Sequence, residues 1–447
     1  MKNRLSRKWM QNLTDQQKDL LLGLFILLIV AVIYYFQWAY YLTGLEGSKV
    51  NIDQPERYFW WANDSRSYQA AGEWLFGREN NSAIGSRPWL YPLYLGLART
   101  LFAGNMERLV WISQFLMWLG SGALIYLSLH NTTRSTVLAM FGTAFFFSHP
   151  SPLILTFHGM TETLNILLIS AFCWVLTAAS KNRMYYALLL ITLATVTKPI
   201  YLLFLVLLAI YILVRYKRGA EDPAAPGRGP ADKHTPRLRQ IGLIALILLP
   251  IWIQLLLSFA ATGEPSLSKI GSYTFKNYLV ADVYLRTEGT EWRETMELIK
   301  DWDVQQQLTY LWEHQRMTVL TVRSHLIDEN LWTGSFYTLG DGNRMKDFAF
   351  NMNAVSAYLH LLMAPLVLYY LLSAKYREHT RSSPVDKEII ALLYLCFLLQ
   401  FLTSGISAGQ NDRLMITALP LWITAYLSVL SGMNTTQNVL AEMDDGQ

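Results

Sequence analysis

A chain of 447 residues that is 52% hydrophobic and only 16% charged falls well short of the roughly 25% charged residues of a soluble domain. Its formal net charge of +4 is small and dispersed, which excludes a nucleic-acid-binding surface as the organising feature. Cys173 and Cys396 each sit inside an apolar run, so neither a disulfide framework nor a cysteine metal site is expected. The fold class this implies is an all-α polytopic membrane protein.

The first apolar run, about 19–41, is too long for a signal-peptide core and lacks a small-residue cleavage site after it, so it reads as a retained helix. Further runs lie at about 108–129, 135–149, 153–179, 184–197, 199–215, 241–261, 354–374, 388–404 and 414–432, giving about ten expected transmembrane helices. The runs at 135–149 and 184–197 are shorter than the roughly 20 residues a straight span needs, and read as half-helices or as parts of their neighbours.

Cationic residues set the expected orientation. Lys2, Arg4, Arg7, Lys8 and Lys18 precede the first run, and Arg215, Lys217, Arg218, Arg228, Lys233, Arg237 and Arg239 fill one connector. Lys181 and Arg183, then Lys375, Arg377, Arg381 and Lys387, complete a set that ten spans place on one face, the cytoplasmic one. The chain then divides into a cytoplasmic N-terminus (1–18), a transmembrane module (19–217) holding a first external loop (42–107), and a Pro- and Gly-rich cytoplasmic linker (218–240). A second transmembrane module (241–432) holds an external segment (262–353), and a cytoplasmic tail (433–447) follows.

In that external segment Met296, Ile299 and Trp302, then Leu308, Leu311, Trp312 and Met317, recur at helical spacing. Amphipathic helices lying on the membrane or capping the bundle are expected there. Tyr273, Tyr278 and Tyr284 could stack on a polar acceptor, though scaffold packing is the commoner explanation for such residues. No fixed-period repeat, P-loop, dinucleotide fingerprint or His-Glu-x-x-His motif occurs.

The first external loop carries the chemistry. Asn63, Asp64 or Ser65 can start a helix running through Tyr68, Ala71, Trp74 and Leu75, which makes Asp64 either a cap or a positioned carboxylate. In Arg87-Pro88-Trp89-Leu90-Tyr91-Pro92 the prolines and aromatics fit a rigid turn feeding an interfacial helix, with Trp and Tyr as membrane-interface anchors. Arg87 is left over, and an arginine there could clamp a phosphate. Glu162 and His158 sit in or near the outer half of the 153–179 run, one helical turn apart. Ionisable groups at membrane depth are costly and point to function, the alternative being hydrogen bonding inside a polar bundle. Lys198, before Pro199, reads either as a phosphate ligand or as a snorkelling lysine at a helix break. Arg413 has the same two readings, with Asp412 beside it as an ion-pair partner.

An Asp in the first external loop, a Tyr four residues later and Arg-Pro-x-x-Tyr-Pro before the second helix resemble the GT-C superfamily of membrane glycosyltransferases. The resemblance is to the branch of dolichyl-phosphate-mannose protein mannosyltransferases and lipid A aminoarabinose transferases. Ser151-Pro152, Thr161-Glu162-Thr163, Thr197-Lys198-Pro199 and Asn411-Asp412-Arg413 match its layout further. The resemblance implies inverting transfer of a sugar from a polyprenyl-phosphate donor to an acceptor hydroxyl at the external face, in a bacterial inner membrane. The acceptor is left open among glycan, lipid and protein. Asp64 would be the general base, and Arg87, Lys198 and Arg413 would bind the donor phosphate. Glu162, Tyr68, Tyr91 and His158 would contact substrate. Membrane lipids are the other expected partners, and no nucleic acid is. No metal ligand set is expected; Asp64 is followed by Ser65 rather than a second acid, which leaves a divalent cation as an open question. Two other readings compete. One is a transporter or flippase of lipid-linked sugars, against which the absence of repeat symmetry counts. The other is an O-antigen-type ligase or polymerase.

Overall fold

The computed structural model describes residues 14–43, 59, 61, 63–78, 83–178, 180, 182–220, 235–329, 344–373, 387–406 and 411–445. These are almost wholly helical, with no strand among the described residues. Most of the linker expected at 218–240 and most of the loop at 375–387 lie outside them.

Helix α1 (Asp15–Thr43) is apolar on every side. It buries Leu27, Ala31 and Tyr35 and leaves Phe25, Ile29, Ile33 and Phe36 exposed, the pattern of a helix with lipid on one side and protein on the other. The chain next forms a hairpin of α2 (Asn63–Leu75) and α3 (Leu90–Leu101). Gly72 and Gly96 let these two helices touch through their backbones: a Cβ on Gly72 would lie 2.5 Å from the Pro92 carbonyl, and one on Gly96 would lie 2.8 Å from the Gly72 carbonyl. A Glu73–Arg99 ion pair closes the same interface.

Helix α4 (Met106–Thr133) runs through the middle of the bundle. It stops at Arg134, which takes a left-handed conformation (φ 54°) while its N–H bonds back to the His130 carbonyl. Ser135 then caps α5 (Thr136–Ser148) by accepting the Leu138 N–H, so the reversal takes two residues. Proline ends α5 in turn: His149 is extended, as a residue before proline prefers, and Pro150 opens the short α6 (Pro150–Ile154). The two axes meet at 56°.

Helix α7 (Glu162–Thr177) packs along α4, and α8 (Arg183–Thr195) packs along α7. Helix α9 (Leu202–Ala220) follows a break at Lys198-Pro199. A second bent pair, α10 (Thr235–Ile247) and α11 (Leu249–Thr262), turns by 50° at Leu248 and Pro250. Helices α17 (Arg344–Leu372), α18 (Lys387–Ser404), α19 (Asn411–Ile416) and α20 (Leu419–Asp445) complete the bundle. Helix α20 lies against α4, α7 and α18.

Among the described residues three helices can cross a membrane by length and composition: Gln17–Gln37, Met106–Thr133 and Lys387–Ser404. Counting each bent pair as one span raises the number to five. The expected count of about ten is therefore too high by this measure. Glu162–Thr177, Arg183–Thr195, Pro199–Ile212, Tyr358–Leu372 and Leu419–Met433 are apolar but only 10–17 residues long. Hydropathy joined segments that the backbone breaks. The clearest case is the expected run at 153–179, which consists of α6, a 3-10 turn (Leu155–Phe157), an extended His158 and then α7.

Residues 263–329 form a smaller helical unit with α12 (Ile270–Thr274), α13 (Ala281–Glu288), α14 (Trp292–Leu298), α15 (Val304–Glu313) and α16 (Gln315–Arg323). It has its own core, in which Leu279, Val280, Val283, Ile299 and Leu311 are buried and Met296, Trp302 and Met317 pack on them. The expected apolar face is thus split, because Leu308 and Trp312 point outward, 53% and 75% exposed. Asp303 opens α15 with a reciprocal capping box, accepting the Gln306 N–H while the Gln306 side chain accepts the Asp303 N–H.

One buried side chain joins this unit to the bundle. His325 has Nε2 2.8 Å from Asp282 Oδ2 and Nδ1 3.0 Å from the Gly405 carbonyl, just past α18. Arg286 Nε donates to the same Asp282 oxygen at 2.9 Å. Burial opposes the Asp282 carboxylate, but the hydrogen bond from His325 and the charge of Arg286 outweigh it and hold this carboxyl below its usual range. A carboxyl depressed in the folded state contributes stability that is complete above its unfolded value of about 4 and is lost as pH falls through the folded value. Proteolysis of the 263–329 unit should therefore accelerate as pH drops below about 4. Asp282→Asn should already weaken the joint at pH 7, by about 1–3 kcal/mol, and should flatten that acid dependence; proteolysis rates across pH 3–7 measure both.

Candidate functional site

Asp64 lies in the first turn of α2, which begins where the sequence places it. A carboxylate there is favoured by the unpaired N–H groups and positive end of the helix. Arg87 follows a short 3-10 turn (Ala83–Gly85), its N–H bonded to the Ala83 carbonyl. The two meet across the hairpin: Arg87 Nη2 donates to Asp64 Oδ1 at 2.8 Å. Arg87 Nε donates to Ser67 Oγ at 2.6 Å, and Nη1 lies 3.4 Å from the Tyr68 hydroxyl. The guanidinium also sits over the Tyr68 ring, 4.5 Å from its centroid. Ser67 completes the arrangement by donating to the Asp64 carbonyl at 2.7 Å.

The turn that carries Arg87 is gripped from the other side. Gln254, buried in α11, accepts the Trp89 N–H with Oε1 at 2.9 Å and donates from Nε2 to the Ile84 carbonyl at 3.3 Å. Trp89 Nε1 donates to the Pro250 carbonyl, Ser268 Oγ to the Ser86 carbonyl, and Lys269 N–H to the Gly85 carbonyl. Trp89 is half-buried, and Tyr91, enclosed in protein, does not act as an interfacial anchor. Tyr91 is fully buried and stands edge-on to Tyr68, centroids 5.4 Å apart. Its hydroxyl has no hydrogen-bond partner among the described residues.

The second ion pair belongs to the bundle. Lys198, at the break after α8, places Nζ 3.1 Å from Glu162 Oε1 at the first residue of α7. Leu90 N–H bonds to the Val196 carbonyl, which docks the hairpin beside this break. His158 does not share a helix turn with Glu162. It is extended and buried, and its carbonyl accepts Gln114 Nε2 at 2.9 Å. The next residue, Gly159, leaves room for the Trp61 ring, which a Cβ would approach to 2.5 Å.

Tyr68 links the two pairs. Burial is the main influence raising its hydroxyl pKa, Arg87 opposes that shift, and the charges of Glu162 and Asp64 add to it. The phenol thus stays protonated between a cation and two carboxylates. Of the four charges in these pairs only the Asp64 carboxylate is substantially open. Asp64 is 36% exposed against 12% for Arg87, whereas Lys198 is 16% exposed against 1% for Glu162. The hairpin therefore presents a carboxylate outward, while Arg87, Lys198 and Glu162 are largely enclosed.

Arg87, Lys198 and Arg413 were expected to converge on a phosphate. Arg87 and Lys198 are instead each paired with a carboxylate. Helix α19, which contains Arg413, packs against α6 and α7, and the Arg413 side chain lies outside the described residues. Among the described residues no three His, Cys, Asp or Glu side chains converge in a way that could hold a metal. Ser67 and Gln254 escaped the sequence reading. Ser67 is three residues after Asp64 on the same helix face, and Gln254 is a single amide inside Leu-Pro-Ile-Trp-Ile-Gln-Leu-Leu-Leu, each a readable signal. No family model, curated protein or solved structure matches this chain.

Removing one member of an enclosed pair leaves its partner's charge uncompensated, at a cost of about 3 kcal/mol. Glu162→Gln should lower the thermal midpoint in detergent clearly. Glu162→Gln with Lys198→Met should recover most of the loss, because both charges then disappear together. An equal loss in the single and double variants would mean that the pair is not coupled.

Proposed function

We propose that this protein is an integral-membrane inverting glycosyltransferase that moves a sugar from a polyprenyl-phosphate donor to an acceptor hydroxyl. The observation that carries the reading is an open carboxylate, Asp64, on a hairpin that docks through Leu90 beside the break bearing the enclosed Lys198–Glu162 pair. Such transfer needs a fixed carboxylate to take the proton as the acceptor hydroxyl attacks the anomeric carbon. It also needs a cation beside the departing phosphate, whose negative charge grows as the glycosidic bond breaks. An acceptor hydroxyl held by Asp64, with the donor phosphate toward Lys198, meets both needs. Tyr68, a neutral hydroxyl between the two pairs, can donate to either substrate.

The topology belongs to the same proposal. In it the hairpin and the 263–329 unit lie on the external face of a bacterial inner membrane, where lipid-linked donors are consumed. The shorter apolar helices cross or partly cross within the bundle, shielded by their neighbours. Arg413, on α19, is the third residue assigned to the donor phosphate, and the acceptor is a glycan, a lipid or a protein. Helices long and apolar enough to span, and the resemblance to GT-C enzymes in the order of the motifs, support this reading. A transporter of lipid-linked sugars would use the same cations but has no need of an outward carboxylate at the hairpin.

Asp64→Asn keeps the size and the hydrogen bond to Arg87 but cannot take a proton. Transfer from a polyprenyl-phosphate sugar to acceptor in membranes should fall by about 10²-fold or more in protein that still purifies folded, while the thermal midpoint drops because the enclosed Arg87 loses its counter-charge. Retained transfer would remove Asp64 as the base. Movement of the labelled donor across proteoliposomes with no glycosidic product would favour the transporter.

A further inference from the structure

Helix α11 turns its polar side inward. Its buried residues are Gln254 and Ser258, one turn apart. Leu249, Trp252, Leu256 and Phe259 project from the opposite side and are 48%, 58%, 67% and 56% exposed. Together α10 and α11 are apolar enough to form one bent span. The apolar side of α11 therefore meets lipid, and its polar side meets the turn that leads to Arg87. One helix separates the bilayer from that turn.

A short row of contacts closes this seam. Near the bend, Trp89 Nε1 donates to the Pro250 carbonyl at 2.9 Å. In the middle, Gln254 accepts the Trp89 N–H and donates to the Ile84 carbonyl. At the far end, about 18 Å along the helix, the Thr262 methyl lies so close to Gly85 that a Cβ there would come within 2.5 Å of it. Apolar packing adds little driving force between helices in a membrane, because lipid tails are as apolar as a neighbouring helix. The seam is thus held by a few hydrogen bonds. Both ends of α11 can pivot. Pro250 supplies no N–H to the turn before it, and the axis bends by 50° there. Gly263 ends the helix in a left-handed conformation (φ 76°), with open space where a Cβ would stand. The turn does not depend on α11 alone, since Ser268 Oγ and the Lys269 N–H hold the Ser86 and Gly85 carbonyls from beyond that glycine.

We propose that α11 is a lateral gate: it swings on its bend, its Thr262 end leaves Gly85, and the lipid-linked donor enters from the bilayer to the Arg87 turn through the opened seam. This rests on the donor class proposed above. No covalent bond changes in the step. The contacts at Gln254 break and re-form, while Ser268 and Lys269 keep the turn in place.

The seam can be locked. A Cβ on Gly85 would lie 3.7 Å from the Thr262 Cβ, inside the roughly 3.5–4.5 Å that a disulfide spans. Cys173 and Cys396 are both buried, so an oxidant acts on the added pair. The probe is labelled farnesyl phosphate, with farnesol as the uncharged control and the full-length protein in nanodiscs. Oxidising Gly85→Cys/Thr262→Cys before the probe is added should slow its uptake by about tenfold or more, and reductant should restore the rate. Oxidising after loading should slow release to a similar extent. Thr262→Cys alone should not respond to oxidant. Gly85→Ala sets a methyl against Thr262 Cγ2 and should wedge the seam, speeding uptake about threefold; adding Thr262→Ser, which lacks Cγ2, should return it to the parent rate.

Uptake and release at parent rates in the oxidised protein overturn the gate and leave the donor class standing, because the probe still binds. A Gly85→Ala protein that takes up the probe no faster than its parent overturns it as well. If neither the parent nor the reduced variant prefers farnesyl phosphate to farnesol, the polyprenyl-phosphate donor falls, and the gate falls with it.

Discussion

The Arg87 guanidinium fixes where the hairpin's carboxylate can be. It joins a turn to a helix that touch nowhere else through charge, and it does so with every kind of contact an arginine can make: ion pair, neutral hydrogen bonds and a stacked ring. The turn is in turn held by backbone hydrogen bonds to the Gln254 side chain and to Ser268 and Lys269. A lysine could match the charge but not the fork, and would leave either Ser67 or Asp64 without a donor. Geometry at Asp64 therefore depends on a bidentate cation that is placed from α11, far away in sequence.

Placing two ion pairs at the end of an apolar bundle is not a route to stability. Desolvating charges costs several kcal/mol per ion, and packed apolar residues of similar volume usually do as well or better. The site also encloses groups that a purely structural design would avoid, such as the Tyr91 hydroxyl without a partner among the described residues. Buried polar atoms without a partner among the described residues also occur elsewhere in the bundle, at His149, Asn165 and Gln400 for example, but the two ion pairs fall together, around Glu162, Tyr68 and the hairpin. The same low polarity that makes the charges costly strengthens their action on a bound substrate. This concentration of cost is the physical argument for chemistry at this end of the bundle rather than at the similarly polar but solvated surface of the 263–329 unit.

The legible and illegible parts of the sequence separate along physical lines. Helix α2 was readable because its start signal and its apolar spacing are local, and Asp64 fell in its first turn as expected. The run at 153–179 was misread because a hydropathy average does not register a backbone that leaves the helix at His158 and Gly159 while remaining apolar. Tyr91 reads as an interface anchor because an aromatic beside proline looks the same in sequence whether its neighbour is a headgroup or Tyr68. Pairing was the hardest to foresee. Arg87 finds Asp64 across 23 positions and Lys198 finds Glu162 across 36, and no local pattern states that a cation is already spoken for. Span counting failed for a related reason, since short helices such as Arg183–Thr195 are apolar enough to suggest crossing yet too short to do so alone.

The 263–329 unit acquires a role from where its two attachments lie. One is the set of hydrogen bonds from Ser268 and Lys269 to the turn that ends in Arg87. The other is His325 on the Gly405 carbonyl, with Leu326 packed where a Cβ on Gly405 would collide at 2.8 Å. Residue 405 closes α18, and a few residues later the chain re-enters the bundle as α19, packed against the helix that begins with Glu162. The unit thus holds, through separate contacts, the segment bearing the first ion pair and the segment leading back to the second. Its own core is small, so these polar joints rather than apolar burial determine how firmly it sits. Loosening it at Asp282 would act first on the His325 joint at Gly405, and the hydrogen bonds from Ser268 and Lys269 would still hold the turn.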